Sequence, residues 1–198
     1  EGLIKVEDGE SLIRLYNTNT DKIVHARIPV RDGAAEITGD YELQGVAGTG
    51  AKLQLDYLNP GGAGTGKLLP SAHVLEDMEV DDHGTYTVSL VDAATPMVYV
   101  AAEALDMTAT ERPEAIDADK ALKTRLEAIR RAGAIRMGLA NRAEDVGFAS
   151  PRIAVVAAPI EFTALNDEII APDTQDLTVR VISGGDAHRA SPLTSAMC

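Results

Sequence analysis

The chain has 198 residues, of which 45% are hydrophobic, enough for one large packed domain or two small ones. A formal net charge of −13 without a basic stripe argues against a nucleic-acid partner, and no apolar run is long enough to cross a membrane. The single cysteine, Cys198, excludes an internal disulfide framework and fits a reducing compartment. Because no signal-peptide pattern is present, we expect a cytoplasmic protein.

The first part of the chain predicts a β-rich region over residues 11–57. Asp32-Gly33 lies between two runs that alternate apolar and polar residues, which is a strong hairpin signal. The glycine-rich residues 59–66 belong to no regular element. Beyond them the alternating pattern restarts, with one turn predicted at residues 81–84 and another at Thr95-Pro96.

One long helix is predicted after these strands, with Asp117 or Asp119 as its N-cap and Gly138 as the residue that ends it. Its apolar face follows a helical spacing through Leu122, Leu126, Ile129, Gly133 and Met137. Its arginines are predicted to be mostly solvated; they are Arg125, Arg130, Arg131 and Arg136.

The end of the chain predicts two more strands and the start of a helix. The runs "RIAVVAAPI" and "LTVRVIS" are typical of a buried strand and of a strand that leads into a glycine turn. A helix is predicted to begin near Thr194. The order of strands, glycine loop, strands, helix and strands indicates two α/β parts.

The stretch "NPGGAGTGKLLP" resembles a phosphate-binding P-loop, with Gly61, Gly66 and Lys67 at the P-loop spacing. Leu68 stands where the motif needs a Ser or Thr to bind Mg²⁺, and Pro70 interrupts the helix that should follow. We therefore rank a nucleotide-binding protein third among the functional hypotheses. The loop is better interpreted as a connection between two folding units, 1–60 and 61–198.

The most suggestive segment for chemistry is "VRVISGGDAHRASPLTSAMC". A strand end, a glycine turn at Ser183, Gly184 and Gly185, and a helix start near Thr194 would together offer backbone N–H groups to a carboxylate. Arg189 and His188 could add charge and hydrogen bonds. An ordinary strand–helix turn with an exposed histidine remains the alternative. The histidines share no metal-ligand spacing, so no metal site is expected.

Six segments of the chain resemble the PrpF family in their order and cover it from about residue 10 to residue 198. They are "LYNTNT", "GDYELQGVAGTGAKLQLDY", "GGAGTGKLLP", "SLVDAATPMVYV", "IRRAGAIRMGL" and "SGGDAHRASPLTSAMC". The resemblance implies an α/β (α+β) fold of the diaminopimelate-epimerase-like type, with two similar halves that each curve a sheet around a central helix. It also implies an active site in the cleft between the halves and no cofactor.

The resemblance implies an isomerase that moves a proton on an unsaturated di- or tricarboxylate, such as 4-oxalomesaconate or 2-methylaconitate. In such isomerases the proton is thought to be moved by a Lys in a Thr-Ser-Lys-type motif and a Cys in a Cys-Gly-Asn motif. Neither motif occurs in this chain, so we expect both upstream of Glu1 and expect the chain alone to be inactive. On this basis residues 1–60 would be the end of the first half, and residues 61–198 most of the second.

The residues that the resemblance implies in substrate binding are Ser183, Gly184, Gly185, His188, Thr194, Ser195 and Thr95. The expected partner is a small carboxylate substrate, with neither nucleic acid nor membrane, and homodimerisation is left open. The alternative hypothesis is a non-catalytic binding or scaffold protein of the same fold.

Overall fold

A computed structural model describes residues 4–43 and 46–198, so Gln44 and Gly45 of the glycine-rich stretch before β5 lie outside the described residues. The chain forms two compact units, Glu1–Pro60 and Gly61–Cys198. Unit 1 contains β1 (Gly9–Asn17), β2 (Lys22–Arg31), β3 (Ala34–Ala35), β4 (Tyr41–Glu42), β5 (Thr49–Gly50) and β6 (Gln54–Tyr57). Unit 2 contains β7 (Glu76–Val80), β8 (Gly84–Asp92), β9 (Pro96–Ala101), α1 (Pro113–Ala118), α2 (Lys120–Arg136), β10 (Arg152–Ala157), β11 (Phe162–Thr163), β12 (Ile169–Ile170), β13 (Thr178–Ser183), β14 (Asp186–Ala187) and α3 (Leu193–Ala196).

Unit 1 is built on an antiparallel sheet in which β2 pairs with β1, β3 and β6. The alternation along β2 places Val24, Ala26 and Val30 on a buried face. The hairpin predicted at Asp32-Gly33 is confirmed, because both residues have positive φ angles, 53° and 72°. This combination is the one that a two-residue type I′ connection requires.

Unit 2 is built on a six-stranded sheet in the order β14-β13-β10-β9-β8-β7. Only the β9–β10 pair is parallel among the paired strands that the structure describes in this sheet. The helix α2 packs on one face, where Leu126 and Ile129 join Leu90, Val98 and Ile153 in one apolar cluster. This packing buries every second residue of the middle strands, those that face α2.

The long helix begins and ends as its sequence predicts. Asp119 is the N-cap, and its Oδ1 accepts a 2.9 Å hydrogen bond from the backbone N–H of Leu122. Gly138 follows the last turn with φ of 77°, and Leu139 N–H donates to Ala134 O, which is the Schellman pattern. Asp117, the other candidate cap, lies in α1 and accepts a hydrogen bond from the backbone of β14.

A close approach between α2 and the sheet requires a glycine at position 133. A Cβ atom at Gly133 would lie 2.5 Å from Cγ2 of Val98. The helix can therefore rest on β9 only because this position lacks a side chain.

The sequence-based interpretation of Arg130 as a solvated residue is wrong. Its side chain is 5% exposed, and its guanidinium donates to both carboxylate oxygens of Glu127 and to the carbonyls of Gly147 and Pro151. The guanidinium can be buried because these four acceptors replace water. Arg130 thereby ties α2 to the segment that leads into β10.

Within the described residues, no helix combines the length and the apolar character needed to span a membrane.

Candidate functional site

The residues singled out from the sequence converge on one edge of the unit 2 sheet. The strands β8 and β13 end at this edge, and β9 and β10 begin there, as the pairings Asp92↔Pro96 and Ile153↔Ile182 require. The β8–β9 turn with Thr95 and the glycine turn after Ser183 follow directly from these strand ends, and the short helix α3 is brought to them by hydrogen bonds from Arg152 at the start of β10. A sheet edge with several chain reversals concentrates backbone groups that are not used in strand pairing.

The glycine turn joins β13 to the short strand β14. Gly184 and Gly185 both have positive φ angles, 60° and 79°, which explains why glycine is needed there. A Cβ atom at Gly184 would lie 3.1 Å from the ring of Phe148. The two glycines line a cavity of about 410 Å³ together with residues of α2, including Lys123 and Glu127.

The helix α3 is held to the sheet by an arginine that the sequence reasoning did not single out. Nη1 of Arg152, at the start of β10, donates to Oγ1 of Thr194 at 3.2 Å and to Oγ of Ser195 at 3.1 Å. Tyr99 supports the same helix, since its hydroxyl donates to the carbonyl of Ser195 at 2.7 Å. A sequence signal did exist, because Arg152 is a charged residue that opens an otherwise apolar strand.

The expected role of the α3 backbone differs from what the structure contains. The N–H groups of Ser195 and Ala196 donate to the carbonyl of Pro192, at 2.9 and 3.0 Å. A one-turn helix satisfies its own first donors in this way, so these two groups are not available to an anion. Thr194 and Ser195 contribute their hydroxyl groups to the edge instead.

His188 is half-buried and lies near enough to Arg152 for that positive charge to affect its ionisation. Its backbone N–H donates to the carbonyl of Val181 at 2.8 Å, which fixes the segment after β14 against β13. Burial lowers the pKa of His188, and the positive charge of Arg152 lowers it further. His188 is therefore neutral at neutral pH and can either donate or accept a hydrogen bond.

Thr95 enters the same region through its backbone. Its carbonyl accepts a 3.2 Å hydrogen bond from the thiol of Cys198, which also contacts the N–H and the carbonyl of Ala93 at 3.3 and 3.1 Å. Burial raises the pKa of Cys198, and the charge of Asp92 adds to the rise. The thiol is consequently protonated and connects the end of α3 to the β8–β9 turn, a structural role.

The glycine-rich loop cradles an anion that belongs to the protein itself. Asp92, at the end of β8, is fully buried, and its Oδ2 accepts from the N–H groups of Gly64 and Thr65, at 2.8 and 2.7 Å, and from the Thr65 hydroxyl at 2.8 Å. The backbone of Asp92 also bonds Gly62 and Leu68. Consecutive backbone N–H groups of this kind form a nest for a carboxylate. The glycine-rich loop that resembles a P-loop therefore binds a carboxylate of the protein itself, that of Asp92.

The predicted binding residues border two different cavities. Ser195 and Cys198 line a cavity of about 1120 Å³ on the sheet face opposite α2, whereas Gly184 and Gly185 line the smaller cavity on the α2 face. Arg152 and His188 lie at the edge that separates these faces. Among the described residues, no group of histidine, cysteine and carboxylate side chains has the geometry of a metal site.

The comparisons with known proteins agree on one family. The model of the family described as PrpF protein matches residues 1–198. The 2-methyl-aconitate isomerase of Shewanella oneidensis is 32% identical over 195 residues, which are 96% of this chain and 49% of that protein. The 4-oxalomesaconate tautomerase of Pseudomonas putida is 32% identical over 172 residues, which are 86% of this chain and 45% of that protein.

A solved structure supports the same relationship at the level of the fold. The crystal structure of methylitaconate-delta-isomerase superposes with a TM-score of 0.83 at 32% identity, over 97% of this chain and 50% of that one. The likeness confirms the α+β fold predicted from the sequence. The chain spans about half the length of the curated relatives it matches. With a family model that matches every residue and relatives above 30% identity, this chain belongs to the PrpF protein family.

Proposed function

We propose that the protein containing this chain is a cofactor-independent isomerase that moves a proton on an unsaturated di- or tricarboxylic acid, such as 4-oxalomesaconate or 2-methylaconitate. The observation that carries the proposal is that the hydroxyls of Thr194 and Ser195 are hydrogen-bonded to Arg152 at one end of the sheet, with neutral His188 within reach of the Arg152 charge. These groups offer hydrogen bonds to the carboxylates of such a substrate.

The relatives support the class of reaction, and they leave the substrate open. The relatives are named for 2-methyl-aconitate, 4-oxalomesaconate and methylitaconate, and this chain is 32% identical to each of them. All three names denote unsaturated carboxylic acids and a shift of a double bond or of a proton. Equal identity to all three does not favour one substrate, so the proposal names the class.

The chemistry needs binding groups as well as proton-transfer groups. A base removes a proton from carbon next to a carboxylate or keto group, the electron pair spreads into a delocalised enolate, and a proton returns at another carbon. Hydrogen-bond donors held in place before the reaction stabilise that enolate. Because the Thr-Ser-Lys-type and Cys-Gly-Asn motifs are absent from these 198 residues, we assign to this chain the binding part alone.

The proposal is tested in deuterated water with the full-length protein and two substrates, 4-oxalomesaconate and 2-methylaconitate. Enzyme-dependent incorporation of deuterium, followed by mass spectrometry, is the expected result with at least one of them. Incorporation with neither overturns the proposal. Binding of a carboxylate without any exchange would instead indicate the non-catalytic binding protein.

His188 provides a test of the site assignment. The change His188→Ala is expected to lower kcat/KM about tenfold or more without lowering the unfolding temperature by more than a few degrees, since the backbone hydrogen bond of His188 to Val181 is kept and the position is partly exposed. The matched control is His83→Ala, because His83 lies in the β7–β8 turn at the other end of β8. An unchanged kcat/KM in His188→Ala would contradict the assignment.

A further inference from the structure

The side chain of Arg152 is directed toward α3, which carries Thr194 and Ser195 of the proposed site. It opens β10, where it pairs with Met97 of the parallel strand β9, one residue before the Ile153–Ile182 pair. Ile153 faces α2 as part of the main core. Because side chains alternate along a strand, Arg152 faces the opposite side, where it meets α3.

The hydrogen bonds of Arg152 leave one edge of its guanidinium unused. Nη1 donates to both hydroxyls, of Thr194 and Ser195, whereas Nε is buried and has no partner among the described residues. The guanidinium is planar, and its Nε–H and Nη2–H point in the same direction, at the spacing of the two oxygens of a carboxylate. Nε is closed off from solvent, whereas Nη2 is neither among the buried unpaired atoms nor hydrogen-bonded in the described residues, so Nη2 is the donor that a ligand carboxylate can reach.

The charge of Arg152 is also unbalanced. In the described part of the chain no carboxylate lies within 4 Å of it, although most other arginines form such an ion pair, including Arg130, Arg136 and Arg189. The chain carries a net charge of −13, so carboxylates are abundant. A half-buried cation without an anion is costly. Burial lowers the pKa of His188, and the positive charge of Arg152 lowers that pKa further.

We propose that Arg152 is the cation that binds a carboxylate of the ligand, through Nη2, while Nη1 keeps Thr194 and Ser195 in place. The identity of the ligand as a di- or tricarboxylate rests on the proposed function. A role in holding α3 alone would account for Nη1. It would leave the missing counter-charge and the unpaired Nη2 without a reason.

The test separates binding from turnover by using propane-1,2,3-tricarboxylate, which has three carboxylates and no double bond to shift. Calorimetry with the full-length protein compares Arg152→Gln and Arg152→Lys with the parent. We expect Arg152→Gln to weaken binding about 10- to 100-fold, the usual range for a lost charged hydrogen bond. Arg152→Lys should lose less, because the charge remains and only the fork geometry is gone. The control Arg142→Gln removes an exposed arginine that pairs with neighbouring carboxylates, and its binding should stay within twofold.

The possible results decide between a ligand-binding role and a purely structural one. An unchanged dissociation constant in Arg152→Gln, with or without a lower unfolding temperature, overturns the inference, as does a parent protein that binds no tricarboxylate. If Arg152→Gln does not fold, Arg152→Lys decides alone, since a structural role predicts parent-like binding. If the parent protein catalyses no isomerisation but binds the tricarboxylate through Arg152, the proposed reaction is refuted and this inference stands.

Discussion

The contact between Asp92 and the glycine-rich loop provides the sharpest stability prediction. Replacing Asp92 by Ala removes the acceptor of three hydrogen bonds, from Gly64 N–H, Thr65 N–H and the Thr65 hydroxyl. Replacing it by Asn keeps an acceptor oxygen but removes the charge. In Asp92→Ala the loop has no acceptor to surround, and it should open.

The expected free-energy changes follow from the number and exposure of these donors. An unpaired buried donor costs about 1–3 kcal/mol, and the lower value applies because Gly64 is exposed and Thr65 is half-buried. Three donors at about 1 kcal/mol each predict a loss of about 3 kcal/mol in Asp92→Ala. For Asp92→Asn we expect about 1 kcal/mol, since weaker hydrogen bonds are partly offset by the smaller cost of burying an amide.

Urea unfolding followed by fluorescence or circular dichroism measures these losses, and limited proteolysis reports on the loop itself. The control Thr65→Val removes one donor and should cost about 1 kcal/mol. Lys67→Ala should cost almost nothing, since Lys67 is exposed. An Asp92→Ala variant that stays within 1 kcal/mol of the parent, with no new cleavage between residues 61 and 68, would refute this account.

Three further predictions concern other contacts. Gly133→Ala should destabilise the fold by about 1–2 kcal/mol in urea unfolding, because the new Cβ overlaps Val98, and Val98→Ala should relieve the loss; additive effects would disprove the overlap. Glu127→Gln should cost about 2 kcal/mol at pH 7, a value reduced for the partial exposure of Glu127, because Arg130 loses its carboxylate. Burial raises the pKa of Glu127, but the two arginines bound to it outweigh burial and hold that pKa below its usual range. This stabilisation exists above the unfolded pKa of about 4.3 and is lost as the pH falls through the lower folded pKa, so the difference between the variant and the parent should shrink in acid. For His188, whose pKa is lowered by burial and by the nearby arginine, stability should fall as pH drops below the unfolded value of about 6.5, and His188→Gln should flatten this dependence in a pH series of melting temperatures. If the melting temperatures of the parent and of His188→Gln changed equally with pH, this role of His188 would be contradicted.

Much of the local structure was predictable because it depends on residues a few positions apart. The Asp32-Gly33 hairpin, the Asp119 cap and the Gly138 terminus each involve donors and acceptors within five residues. Helix α1 was missed, although Pro113 at its first position is a start signal, because the helix has only six residues before the next cap, Asp119.

The candidate site was predictable only in part. The glycine turn and His188 stand out in sequence because positive φ angles need glycine and because histidine titrates near neutral pH. Arg152 did not stand out, since a single arginine beside an apolar strand has many uses. Its contact with Ser195 joins residues 43 positions apart and depends on the order of the strands.

By itself, the sequence determined the turns, the long helix, the alternation of the strands and the membership of a family. Each of these follows from short-range spacing or from a pattern of residues in order. The tertiary structure alone decided which groups meet. The fold brings the carboxylate of Asp92 to the glycine-rich loop, and it buries Arg130 against the segment that leads into β10. It also brings Arg152 close enough to His188 to lower its pKa, with donors of Arg152 left unpaired. Such contacts depend on strand order and register, because pairing brings together side chains that are far apart along the chain.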